Sequence, residues 1–310
     1  MRLLPGLVAL DRPLPEFLSA NAHAFTRADL RARWSRAALE NAVRSGDARR
    51  ILPGVYCARA HTGSPTVLGE ALNLWHPAGL VTGPLALHLY GVPLTATTVA
   101  HIRVQNGFRP RTPPWVRCLQ GERLRVSSAP AGVSCVVPEL ALLDAWRLAS
   151  PPQRLDILWE SLWARVCTWQ QLARAEEGAA RIPERHRLQR VLGWFEDGAT
   201  TPLEVRARHE AFAGRRFSGF ERQVGLRLPT RHATVDMLHR AARVIVELDG
   251  DRYHSTREAR DADRERQTDL TAAGWVVLRF GWRDIVDRPA WCRERVLAVV
   301  ASRLARPSGT

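Results

Sequence analysis

No lysine occurs anywhere in the 310 residues, so all 45 basic side chains counted as lysine or arginine are arginines. Against them stand 31 acids, leaving a net charge of +14 at neutral pH. Arginine is a planar, permanently charged fork that suits phosphate oxygens and guanine edges. A compositional bias would explain arginine in place of lysine, but not the excess of positive charge. That excess points to an anionic partner, nucleic acid ahead of a membrane surface. Cysteine is sparse: Cys57, Cys118, Cys135, Cys167 and Cys292 are odd in number, scattered, and include no C-x-x-C pair. A disulfide framework and a structural zinc site are thereby excluded. Long apolar runs are missing too. Met1–Leu10 is too short for a signal-peptide core and meets Asp11-Arg12-Pro13, and no later stretch reaches the length of a bilayer span. The expected compartment is a reducing cytoplasm. Stacking-aromatic patterns of the kind that read RNA are also lacking. What the chain does have is apolar material, 45% of it, enough to bury real cores in two or three domains.

Three regions differ in texture, with expected boundaries at 1–62, 63–197 and 198–310. In the first, Thr26 can cap a helix from Arg27 to about Arg33, and Ser35 a second from Arg36 to Ser45, which Gly46 stops. The run from Arg49 to Tyr56 reads as two strands about a Pro53-Gly54 turn. Helix, turn, helix and basic hairpin is the order of a winged helix-turn-helix, in which the second helix enters the major groove and the hairpin touches backbone. Arg36 and Arg44 would then lie on or beside the recognition helix, and Arg49 and Arg50 on the wing. The middle region is a mixed α+β connector. It shows helices at Leu68–Trp75 and around TGPLALHLYGVPL, alternating strands at 101–105, WVRCL and VSCVV, and a helical pattern from Pro138 onward. Its tryptophans, Trp146, Trp159 and Trp163, sit on apolar helical faces and read as core, as does Trp194. His76, His88 and His101 are isolated and read as structural.

The chemistry concentrates after Gly198. TTPLEVRARHEAF starts a helix with Thr201 as cap, Pro202 in the first turn and Glu204 three residues on, which is the spacing of a capping box. RHATVDMLHR and RVIVELDG read as two strands joined at Arg240–Arg243. A hairpin centred between Ala241 and Ala242 sets Asp236 opposite Glu247, on one face, with Cβ atoms about 4.5–5.5 Å apart. Asp249, two residues beyond Glu247, shares that face. Three carboxylates so placed repel one another unless a cation sits among them, and Mg²⁺ or Mn²⁺ is the expected guest. A charged helix, the strand in AAGWVVLRFGWRDI and a last helix from Pro289 to about Leu304 complete a small α/β core with a mixed sheet.

Two resemblances add to this reading. TRADLRARWSRAALENAVRSGDARRILPGVY (Thr26–Tyr56) resembles the N-terminal domain of AbiEi-type antitoxins of abortive-infection systems, a resemblance that implies operator binding and a cognate toxin. The block marked by TPLEVR, VDM, VIVELDGDRYH, DRERQTDLTAAGW and VLRFGW resembles the very-short-patch-repair endonucleases of the PD-(D/E)XK superfamily. That resemblance implies a restriction-endonuclease-like fold acting on double-stranded DNA. Asp236 would match the metal-binding aspartate, Glu247 the acid of the second strand, His254 the histidine after it and Glu204 the acid of the leading helix. Arg264 would match the arginine of the following helix, and Trp275 an aromatic at the start of the next strand. The chain departs from the pattern in two ways. Asp249 stands where the superfamily often has lysine, and the zinc-binding His and Cys cluster of the repair enzymes is absent. The expectation is therefore a multi-domain α/β protein that is either a metal-dependent DNA endonuclease or, as the alternative, an antitoxin-like repressor with an inactive nuclease fold.

Overall fold

The computed structural model describes residues 6–94, 99–107, 109, 111–121, 125–130, 132–196, 201–228, 232–250 and 257–305. Their contacts divide the chain into two compact units, Met1–Arg187 and Leu188–Thr310. No helix among the described residues is long and apolar enough to cross a membrane.

The first unit opens with α1 (Leu14–Ala20), β1 (Phe25–Thr26), α2 (Arg27–Arg31), α3 (Arg36–Ser45), β2 (Ala48–Leu52) and β3 (Val55–Ala58). Thr26 and Asp29 form a capping box on α2, Ser35 accepts the Ala38 amide at the head of α3, and Gly46 ends α3 at φ +87°. The side-chain oxygens at the two caps satisfy amides that a helix start leaves bare. The three strands form an antiparallel sheet in the order β1-β3-β2. Leu14, Phe17 and Leu18 of α1 pack with Phe25, Leu30, Leu39 and Tyr56 into one core. The sequence pattern did not disclose α1, which is only two turns long.

One buried acid ties this small core to the next helix. Glu70, on α4 (Pro65–Trp75), accepts the Ala24 amide at 2.9 Å, and its other oxygen lies 2.8 Å from His23 Nδ1. Next come β4 (Leu80–Thr82), α5 (Gly83–Leu89), β5 (Ala100–Gln105), β6 (Val116–Gly121), β7 (Val126–Ser128) and β8 (Ser134–Val136). They form a five-stranded sheet in the order β6-β5-β4-β8-β7. α6 (Pro138–Leu148), α7 (Pro151–Trp163) and α8 (Trp169–Glu177) come after it. Trp146 and Trp159 are core residues, as expected. Asp144, fully buried on α6, is satisfied by Thr82, by both arms of Arg103 and by Arg147. A buried carboxylate requires such company.

α9 (Arg185–Glu196) carries the chain into the second unit. There α10 (Pro202–Arg206) continues as a turn of π-helix over Ala207–Ala211. β9 (Glu221–Arg227), β10 (His232–His239) and β11 (Val244–Asp249) are followed by α11 (Arg257–Ala272), β12 (Val276–Gly281), α12 (Trp282–Asp287) and α13 (Pro289–Leu304). The sheet order is β12-β11-β10-β9, parallel between β11 and β12 and antiparallel elsewhere. Two hairpin strands and a third were expected; β9 is an addition, an edge strand with Gly225 in its interior. The turn closes through the Arg243 amide to the Arg240 carbonyl, with Arg243 at φ +51°, so the left-handed residue a tight hairpin needs is an arginine.

Candidate active site

The hairpin register is the one expected: Met237 pairs with Val246, Leu238 with Ile245 and His239 with Val244. One step further along that register Asp236 stands opposite Glu247. On β9 the pairs Val235–Val224 and Met237–Arg222 set Gln223 opposite Asp236, and on β12 Arg279 is the partner of Glu247. Gln223, Asp236, Glu247 and Arg279 thus form one polar row across all four strands.

The row is wired closely. Asp236 accepts the Leu248 amide at 2.7 Å on one oxygen and the Gln223 amide group at 3.1 Å on the other. Gln223 reaches it from a left-handed backbone at φ +49°, a conformation costly for a side chain with a Cβ and often found at functional positions. Glu247 accepts from Arg266 at 2.7 Å, and the same nitrogen of Arg266 donates to the Thr234 carbonyl. Arg279 grips Asp263 with both arms, at 2.8 and 2.9 Å, and lies 3.6 Å from Asp249. Acid and guanidinium therefore alternate from Glu247 through Arg266, Asp263 and Arg279 to Asp249.

Burial dominates the electrostatics. It pushes the Glu247 carboxyl up to about 7, against the pull of Arg266, with nearby Asp236 adding to the rise. Asp236 is also raised, first by burial and then by Glu204, while the Leu248 amide opposes the shift. Glu204 therefore lies close enough to the row to act on it; Thr201 caps α10 by accepting the Glu204 amide.

The other expected site residues are less uniformly placed. Asp249 shares the face of Glu247 but turns to Arg279 and is 56% exposed. Arg264 is not brought to the row: its side chain is 78% exposed and pairs with Asp261 at 3.2 Å. The arginine that reaches the row is Arg266. Residues two apart on a helix point about 200° apart, whereas four apart share a face. Arg266 precedes the buried Leu270 by four, and that spacing was the available signal. Sequence reasoning also missed Arg279, Asp263 and Gln223. Arg279 needed the parallel β11–β12 register, and Gln223 needed β9. His254 lies outside the described residues. In the first unit, Arg36 pairs with Glu40 at 2.6 Å, Arg44 donates to Asn41, and Arg49 and Arg50 are exposed on β2.

Among the described residues no group of three acids, histidines or cysteines converges as a metal cage, so the expected trio of Asp236, Glu247 and Asp249 is not assembled. The pair Asp236 and Glu247 remains. Mg²⁺ is commonly held by one or two carboxylates, with water and substrate phosphate completing its shell. A buried Glu247, raised in part by the half-buried Asp236 beside it, fits such an ion, because a cation would return both to the charged form.

No curated protein matches the chain. Among solved structures, the RV2827C protein from Mycobacterium tuberculosis aligns over 65% of this chain and 80% of its own, with 14% identity and a TM-score of 0.41. Residues 219–300, which carry the whole polar row, match REase_MTES_1575, a restriction-endonuclease-like family, and the C-terminal part of this chain is thus an endonuclease-like domain.

Proposed function

We propose that this protein is a DNA endonuclease that hydrolyses phosphodiester bonds with Mg²⁺ or Mn²⁺ held by Asp236 and Glu247. The observation that carries the reading is the polar row: a buried Glu247 and a half-buried Asp236, both with pKa raised chiefly by burial, in the part of the chain that matches the endonuclease-like family. A bound divalent ion would lower the pKa of its water and neutralise charge on the phosphate. The protein's own side chains do the rest. Gln223 and the Leu248 amide fix Asp236, Arg266 fixes Glu247, and Arg279 sets positive charge beside the pair. His254 is the proposed proton acceptor, a role that the imidazole side chain suits in general because free histidine titrates near neutrality.

In the same reading the first unit supplies DNA binding as a winged helix, with α3 in the major groove and β2–β3 as the wing. The capped helix pair, the sheet order β1-β3-β2 and the exposed Arg49 and Arg50 support it. The exposed Arg36–Glu40 pair is weak enough to be exchanged for a phosphate.

Supercoiled plasmid tests the activity. Wild-type protein should relax it with Mg²⁺ or Mn²⁺ and leave it intact in chelator, and Asp236→Asn and Glu247→Gln should lose nicking. His254→Ala should slow it roughly 100-fold or more. Plasmid left intact with every metal would overturn the nuclease and leave a DNA-binding regulator.

A further inference from the structure

The ladder between β10 and β11 stops short of the acidic row: its paired residues are Met237 with Val246, Leu238 with Ile245 and His239 with Val244. Beyond them side chains meet the backbone instead. The Leu248 amide donates to the Asp236 carboxylate, and the Thr234 carbonyl accepts from Arg266 Nη2 at 2.8 Å. That same nitrogen donates to Glu247 Oε1 at 2.7 Å. One guanidinium from α11 thus bridges β10 and β11 where their pairing has ended. Among the described residues no other side chain donates a hydrogen bond to Glu247. Arg279, the other arginine beside it, has both arms on Asp263. Without an ion, Arg266 is therefore the positive charge that makes a buried Glu247 tolerable.

A divalent ion and a guanidinium stabilise a carboxylate in the same way, by setting positive charge against its oxygens. Whichever oxygen of Glu247 an ion takes, two cations then share one carboxylate, and their repulsion weakens both bonds. We propose that Arg266 is a placeholder for the ion: it holds Glu247 in position until the ion arrives, then competes with it for that carboxylate. Arg266 is thus a positioning residue that acts through Glu247, and the inference rests on the metal-dependent reading above. The displaced guanidinium does not lose all company. It keeps the Thr234 carbonyl, and its other arm lies 3.6 Å from Asp263. The consequence is a threshold. The acidic pair keeps its shape without an ion, and the ion binds less tightly than the two carboxylates alone would hold it.

The full-length protein and Mn²⁺ alone test this, with free Mn²⁺ counted by its electron paramagnetic resonance at a fixed, mildly alkaline pH and constant ionic strength. Arg266→Gln should bind Mn²⁺ roughly tenfold more tightly than the wild type, because one repelling charge is gone. Arg266→Lys keeps the charge and should stay near the wild-type affinity; tightening equal to that of the glutamine variant overturns the placeholder. An arginine that only braced the sheet would give the opposite sign, since its loss would loosen Glu247 and weaken the ion. Equal or weaker binding by Arg266→Gln therefore overturns the inference. Thermal melting adds a second readout. Arg266→Gln should melt below the wild type in chelator and gain more from Mn²⁺ than the wild type gains. A variant unfolded in chelator that folds with Mn²⁺ supports the same competition, and one unfolded under both conditions overturns it. Asp236→Asn and Glu247→Gln separate this inference from the reading beneath it. If either leaves Mn²⁺ binding intact, or neither the wild type nor Arg266→Gln binds the ion, the metal site itself fails and the placeholder with it. If both abolish binding and Arg266→Gln matches the wild type, the placeholder alone is lost.

Discussion

Glu247 is a carboxylate held against its own charge, and that has a measurable sign. Between the ordinary value of 4.5 and its raised value of about 7, the folded chain keeps a proton that the unfolded chain has released. The metal-free fold should therefore lose stability as pH rises through that window, by an upper limit on the order of 3 kcal/mol from this group. Glu247→Gln keeps the shape and an oxygen for Arg266 but cannot ionise. Chemical denaturation at a series of pH values should show a flatter profile for the variant; parallel profiles would mean that Glu247 is not desolvated as the structure places it. At this scale the sequence was readable where the pattern was local. Asp236 interrupts an apolar strand and Glu247 lies opposite it by simple counting, so their pairing could be seen in advance. Arg266 and Arg279 could not be found by counting along one element. What selects them is the helix face that meets the sheet and a parallel strand some thirty residues further along the chain.

Among elements, α3 is the clearest case of local chemistry setting boundaries. Ser35 starts it and Gly46 ends it in the left-handed region, and both were legible because caps are written in residue type. A Cβ at Gly46 would meet only Arg59 Nη1, at an ordinary 3.7 Å, so the cost of Gly46→Ala is backbone strain alone. We expect a loss of about 1 kcal/mol, read as a lower denaturant midpoint with an unchanged m-value. A Gly46→Asn variant should recover part of it, since asparagine tolerates that region. Sequence reading missed α1, β1, β4, β7 and β9 and took the start of α12 for the end of a strand; most of these are short, and β9 has Gly225 in its interior. α1 depends on Leu39 and Tyr56, distant in the chain, whereas β9 pairs with β10, the next strand along. α2 ends at Arg31, short of the Arg33 expected.

For the whole molecule, two compact units on one chain would make the proposed DNA binding and cleavage separable in kind but coupled in effect. If the first unit binds duplex, it raises the local concentration of DNA for the second. Arg49→Ala/Arg50→Ala should then reduce the salt slope of binding by about 1.8, raise KM for plasmid and leave kcat unchanged. A fall in kcat at constant KM would place the wing in the chemistry instead. The separation does not extend to the first sixty residues. Glu70, contributed by α4, is the acceptor for the buried Ala24 amide and the partner of His23. Severing the chain after residue 62 would strand that amide without an acceptor, at about 1–3 kcal/mol. For so small a core that is a large share of its stability. Any fragment that keeps this acceptor therefore runs into α4, and an exchange of the proposed binding module between proteins would have to carry that helix with it.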